Sequence, residues 1–355
     1  MKTTIIRLFI IPLSVITLLI SCNTDDDVTQ PQIGMEDPMD DIPNDDDDDN
    51  DDDTANLNLT FTLHTQQDQI GDFAFHQMAA FNGNVHSYYG AGLAATPEMP
   101  YNLGVWHSEN GIAWVSDASF GSERRGHSVT EFNGDLFLIG GADNDDNELE
   151  EVWISNDGFF WTLGSDLLPF GGEAFHSTVA YNGQLYLITD DYEDDNGTQM
   201  MAVYRSNDGF NWELIATDVF PIRTAAETVV FNNKIYLIGG TNETNFLNDI
   251  WTTEDGISWS QVTPSGSFTD PIVFHTLNTY ENALWLIGGW SSTNQFNNHI
   301  WYTQDGTNWI SYDGEIPFDG LYAHETLVYE DELWIFGGVQ EDGLSGAIGS
   351  IKIND

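Results

Sequence analysis

Five histidines recur at regular intervals along this chain of 355 residues: His76, His127, His176, His275 and His324. Imidazoles ringed about one axis could ligate a metal through their neutral ring nitrogens. Two acidic stretches offer a second metal chemistry. ADNDDNELEE (142–151) and TDDYEDDNG (189–197) carry carboxylates at a density that suits Ca²⁺, which takes hard oxygen ligands. Asp190, Asp191, Glu193, Asp194 and Asp195 form the better set, to be read as a calcium site or as a solvated acidic loop. Neither stretch has EF-hand spacing, since the glycine and the bidentate glutamate are misplaced. No other cofactor is expected. Arg124, Arg125 and Arg223 are three of only six basic residues after position 53, against 43 acidic ones. Basic groups kept in such surroundings serve carboxylate binding or local ion pairs. Trp290 follows Gly288-Gly289 directly and lies outside every repeated tryptophan position, so it could stack on a sugar ring, anchor a partner or cover a neighbouring element.

Charge and cysteine content narrow the field. The formal net charge is −50, and residues 23–53 carry 15 Asp/Glu with no Lys or Arg. The remainder of the chain still sits near −37. A surface this negative repels nucleic acid and anionic headgroups, and it attracts cations and basic partners. Cys22 is the single cysteine, so no disulfide can form within the chain and no cysteine-based site can exist in the globular part.

The elements that must position these residues repeat. HSVTEFNGDLFLIGG from His127, HSTVAYNGQLYLITD from His176, AETVVFNNKIYLIGG from Ala226, HTLNTYENALWLIGG from His275 and HETLVYEDELWIFGG from His324 align with a weaker copy from His76. Their aromatics, Phe81, Phe132, Tyr181, Phe231, Tyr280 and Tyr329, lie 49 to 51 residues apart. A later motif, such as VWISNDGFFW, pairs two aromatics eight residues apart in five copies. Each copy reads as four short strands. A turn such as Asn133-Gly134 closes the first hairpin, an apolar second strand ends in Gly-Gly, and an Asp-Gly turn precedes the fourth strand. Six such units of about 50 residues predict a six-bladed, all-β propeller. The sixth copy ends after Ile348–Ile353, one strand short. Residues 57–63 alternate apolar and polar side chains and are predicted to complete that last blade, removing an open sheet edge.

These motifs resemble the kelch repeat over about 300 residues. The resemblance implies a galactose oxidase-like fold with a packing role for the recurrent histidine, and a ligand-facing surface built from the loops after each Gly-Gly and the segments before each first strand. The copies depart from the pattern at Thr189-Asp190 and at Tyr89-Gly90, where Gly-Gly is expected, and at Ala226 in place of histidine. SNDGFFW also resembles the Asp-box of sialidases but is one residue short.

The start of the chain reads as an address. A basic Met1–Arg7 region and an apolar run from Leu8 to Ile20 form a signal peptide, residues 1–21, too short for a good spanning helix. Leu19-Ile20-Ser21-Cys22 resembles the bacterial lipobox, which implies lipidation of Cys22 and anchorage in a membrane. Asn23-Thr24-Asp25-Asp26-Asp27 resembles the surface-export signal of Bacteroidota lipoproteins, implying an outer-membrane address facing the exterior. Residues 22–56 are then an acidic tether, disordered by composition and able to span roughly 110 Å. Residues 57–355 form the propeller.

The function expected from these features is non-catalytic binding of a protein or glycan at the cell surface. Galactose oxidase chemistry needs a cysteine that the globular part lacks, and a sialidase needs an arginine cluster. The remaining enzymatic alternative is a sugar mutarotase similar to kelch-fold N-acetylneuraminate epimerases, with Arg124 or Arg125 and Glu173 or Glu227 as its machinery. A sealed or flat central mouth favours binding; a deep pocket in which Arg and Glu converge favours the mutarotase.

Overall fold

Six Asn-Gly-like dipeptides start the architecture. Asn82-Gly83, Asn133-Gly134, Asn182-Gly183, Asn232-Asn233, Glu281-Asn282 and Glu330-Asp331 all have positive φ at both residues, 47° to 86°. Two successive left-handed residues give the primed turn whose twist matches the flanking strands. Each therefore closes a tight hairpin between the first two strands of a blade, as in Ser128–Phe132 against Asp135–Ile139. The computed structural model describes residues 57–65, 73–90, 104–194, 196–242, 244–266, 268, 270–291, 296–312, 320–341 and 343–354. Its described elements are all strands.

The strands assemble into six antiparallel blades. Blades 1 to 4 run in simple order, for example Glu227–Phe231, Lys234–Ile238, Ile250–Thr253 and Ser260–Val262 in blade 4. Blade 5 gains a short parallel addition, Ser265–Gly266, beside Asn308–Ser311. Blade 6 takes its outer strand from the start of the domain. Leu59–Thr65 pairs with Ile348–Ile353, Phe61 opposite Ile351. The closing strand thus exists two residues later than its predicted 57–63 span. Leu59 and Phe61 pack on the blade 5–6 core, while Leu63, beside a register shift, stays exposed.

Between blades, the Asp-Gly turn acts as a mortise. Gly158 of blade 2 has φ +84° and sits on His86 of blade 1, where a Cβ would come within 2.5 Å of the ring. Gly209, Gly256 and Gly306 press in the same way on Phe137, Tyr186 and Tyr236 of the preceding blades, and Gly111 of blade 1 presses on Trp334 of blade 6. Only glycine satisfies both the left-handed φ and the missing side chain. The aspartate before it caps the turn. Asp157 Oδ1 accepts the N–H groups of Phe159 and Phe160, both at 2.8 Å, and Ser155 Oγ accepts that of Gly158. Asn110, Asp208, Asp255 and Asp305 repeat the device.

Candidate binding face

The Gly-Gly pairs carry the chain to the other end of the propeller. Gly140-Gly141, Gly239-Gly240, Gly288-Gly289 and Gly337-Gly338 all have positive φ, which ends the second strand. The loops that follow pair with the segments preceding the first strands: Arg125 with Ala142, Thr224 with Thr241, Tyr322 with Val339, and Ile272–Val273 with Trp290–Ser291. These two sets of segments form one face around the axis, the mouth.

At the centre of the mouth each blade contributes one left-handed residue. They are Phe75, Gly126, Phe175, Ala225, Phe274 and Ala323, with φ between 52° and 63°. Backbone bonds link them around the axis, for example Phe75 N–H to Ala323 O and Ala323 N–H to Phe274 O. Large and small residues alternate, so three phenyl rings from blades 1, 3 and 5 share the space on the axis. Their centroids lie 5.1 to 6.0 Å apart. Sequence reasoning missed this column. Its signal was the residue before each repeat histidine, reading Phe, Gly, Phe, Ala, Phe, Ala.

The aromatic surface continues outward on one side. Phe274 contacts Tyr322, Tyr322 contacts Trp290 at 5.0 Å and Phe296 at 5.9 Å, and Trp290 contacts Phe246. Trp290 is therefore not a lone exposed ring. It is half-buried, set in a short strand pairing and part of a run of seven rings spanning blades 1, 3, 4, 5 and 6.

The arginines are placed differently from a ligand site. Arg124 and Arg223 are each 1% exposed. Arg124 donates to Ser122 O, to Gly140 O at 3.0 Å and to Glu151 Oε2 at 2.5 Å. Arg223 repeats this in blade 4, with Pro221 O, Gly239 O and a two-point contact to Asp249 at 2.5 and 2.7 Å. Burial pushes the Asp249 carboxyl up, but the hydrogen bonds and charge of Arg223 outweigh it and hold that carboxyl below its usual range. Both guanidinium groups form ion pairs inside their blades, the second of the two readings that their scarcity offered. Arg125 is more exposed and pairs with Asp146 and Asp143 O. Glu173 accepts from Thr189 Oγ1 at 2.6 Å. Arg124 pairs with Glu151, Arg125 with Asp146 and Arg223 with Asp249, acids other than the two that the mutarotase reading names.

The histidines pack. Four of the five are at most 3% exposed, and burial lowers the basicity of all five, to about 4 for His176 and about 3 for His275 and His324. The rings of His176, His275, His324 and His76 lie against the first glycine of the preceding blade's pair, so a Cβ at Gly140 would stand 3.1 Å from His176 Cε1. This contact explains two departures at once. Thr189 replaces that glycine in blade 3, and Ala226 replaces the histidine that would press on it in blade 4. A small cavity of about 10 Å³ remains between them, lined by both residues.

The same substitution reshapes the acidic stretch 189–197. Without Gly-Gly the second strand of blade 3 does not stop. It runs Gln184–Glu193 and pairs with Gln199–Ser206, turning the acidic loop into an extended hairpin. Asp194 caps its tip, accepting the N–H groups of Asn196 and Thr198. A hairpin spreads Asp190, Glu193 and Asp194 along the chain instead of folding them around one centre. Asp195 and the Asp191 side chain lie outside the described residues. Among the described residues no three His, Cys, Asp or Glu are grouped to hold a metal ion. Cys22, the leader and the acidic tether also lie outside them.

A family model described as the KLHDC2/KLHL20/DRC7 Kelch-repeats domain matches residues 175–348, from the axial Phe175 to the start of the last strand. No curated protein matches the chain. The six in-phase repeats and the sheet order make the described residues from 57 onward a six-bladed β-propeller, and residues 175–348 of it match the kelch-repeat family.

Proposed function

We propose that this chain is a non-catalytic binding protein of the cell surface, held at the outer membrane by acyl chains on Cys22 and an acidic tether, and that the mouth of its propeller takes a protein partner. A kelch propeller is suited to protein binding, and the run of seven rings from Phe175 out to Phe246 and Phe296 carries this reading. Half-buried aromatic side chains give large contact area at low entropy cost and concentrate binding energy in interfaces. The acidic stretch 142–151 borders the same face, and the domain's charge near −37 favours a basic partner. Three phenyl rings occupy the axis, and the buried arginines are engaged within the blades.

The test is capture from cell-surface extract by the chain from residue 55 onward, run beside a glycan array, each with and without EDTA. Retention of a discrete protein, EDTA-insensitive, is the expected result. Binding on the glycan array alone would replace the protein with a sugar, and dependence on metal would restore a role for calcium. Catalytic interconversion of sugar anomers by the same chain would overturn the non-catalytic reading.

A further inference from the structure

The three axial phenyl rings border a cavity of about 70 Å³, several times what one water needs. Glu227 of blade 4, Glu325 of blade 6 and Gln77 of blade 1 also line it. All three hold the position just after the histidine column. Blades 2, 3 and 5 have Ser128, Ser177 and Thr276 there, and each hydroxyl bonds to the next blade, to His176, Ala226 O and His324. The hydroxyls thus join blades, as Gln77 and Glu325 do between blades 1 and 6, while Glu227 is left to the cavity. Gln77 Nε2 donates to Glu325 Oε1 at 2.6 Å. No lysine or arginine lines the cavity. A second observation points into the same space. His76 and His275, each 1% exposed, line it, and neither ring has a hydrogen-bond partner among the described residues.

We propose that this cavity receives an organic ammonium group, with Glu227 and Glu325 as counter-ions and the free nitrogens of His76 and His275 as acceptors. An ammonium presents three N–H donors and no acceptor, which matches carboxylates and neutral imidazoles. Phenyl faces attract cations. A metal ion fits less well, because the described residues hold no group of three or more ligands arranged for one. The ammonium comes either from a free alkylamine or from a lysine of the partner; only the second source rests on the function proposed above.

The chemistry is proton-linked. Burial pushes the Glu227 carboxyl up to about 8, and burial followed by the charge of Glu227 raises Glu325 well above the carboxylate range. The other titratable groups facing the cavity are His76, His127, His176, His275 and His324, all kept neutral by burial at pH 6 and above. Binding an ammonium ionises a glutamic acid and releases its proton to solvent. Affinity therefore rises with pH, by about tenfold per unit below pH 8 for one proton released.

Calorimetry on the whole chain tests this with n-butylamine, Nα-acetyl-lysine amide, n-butanol and calcium chloride. Both amines bind and release protons, butanol and calcium do not, and the Glu227→Gln/Glu325→Gln pair weakens amine binding by about tenfold or more. Equal binding of both amines assigns the site to a protein lysine; binding of n-butylamine alone assigns it to a free amine. No amine binding, binding that ignores pH, or equal binding of butanol or calcium overturns the proposal. The pH series uses the unaltered chain, so it decides the question even if the double variant does not fold. Partner capture that persists while amine binding is absent would remove this site and leave the mouth intact.

Discussion

At one end of the propeller, Asn110, Asp157, Asp208, Asp255 and Asp305 cap the same turn in five blades, and the following glycine rests on an aromatic ring of the blade before. At the other end, equivalent positions differ from blade to blade: Phe or a small residue on the axis, Ser, Thr, Gln or Glu one step further in, Gly-Gly or Thr189-Asp190 at the strand end. The turn end is uniform because every blade must solve one packing problem, fitting a turn against a ring. The mouth end is where the blades are free to differ, and its differences place three rings on the axis and four more running outward from Phe274. A repeat's uniform positions hold the fold together, and its irregular ones are where binding is built.

The largest effect that sharpens this contrast is expected at the uniform end. Gly209→Val forces a branched side chain into a left-handed turn and into Phe137, and we expect a loss of about 3 kcal/mol or more by denaturant unfolding. A loss below about 1 kcal/mol would break the packing argument. Next in size is Arg223→Met, which leaves Asp249 partly buried without its partner and should cost about 3 kcal/mol, against about 0.5 kcal/mol for Arg125→Ala at the more exposed pair with Asp146. Equal costs would show that Arg223 is not the structural group its burial implies. Ala226→His alone should destabilise, and Thr189→Gly in the same chain should recover much of that loss, with a coupling of about 1 kcal/mol or more in a double-mutant cycle. Additivity would mean that the two departures are unrelated.

A further effect is a slope, read only as pH is changed. Folded Glu227 keeps its proton to about pH 8, whereas the unfolded side chain loses it near 4.5. The folded state therefore binds the extra proton between those values, so this group's contribution to stability falls as pH rises from about 5 to 8. Glu227→Gln should flatten that decline, read as melting temperature against pH, and an unchanged slope would show that the carboxyl is not buried as described.

Much of the fold was legible in the sequence because propeller blades are local. Hairpin turns, apolar runs and the Trp spacing each lie within about 50 residues, and their phase carries blade number and the need for a closing strand. The site was less legible. Arg124 and Arg223 left two readings open, ligand groups or ion pairs, because a sequence shows scarcity but not the partner, and Glu151 and Asp249 stand more than 25 residues away. The acidic stretch 189–197 looked like a loop because the missing Gly-Gly was read as an irregularity, although its consequence is a longer hairpin. The axial rings were written as alternate Phe, Gly and Ala before each histidine, yet that alternation has meaning only once six blades meet at a point.

The competing binding surface is on the turn end, where Phe160 is 80% exposed beside Leu163 and Leu167 on the edge of blade 2. The direct measurement is partner capture by three forms of the chain matched for melting temperature: unaltered, Trp290→Ala and Phe160→Ala. The account predicts that Trp290→Ala loses the partner and Phe160→Ala keeps it. The reverse result would move the interaction to the rim and contradict the assignment of the mouth.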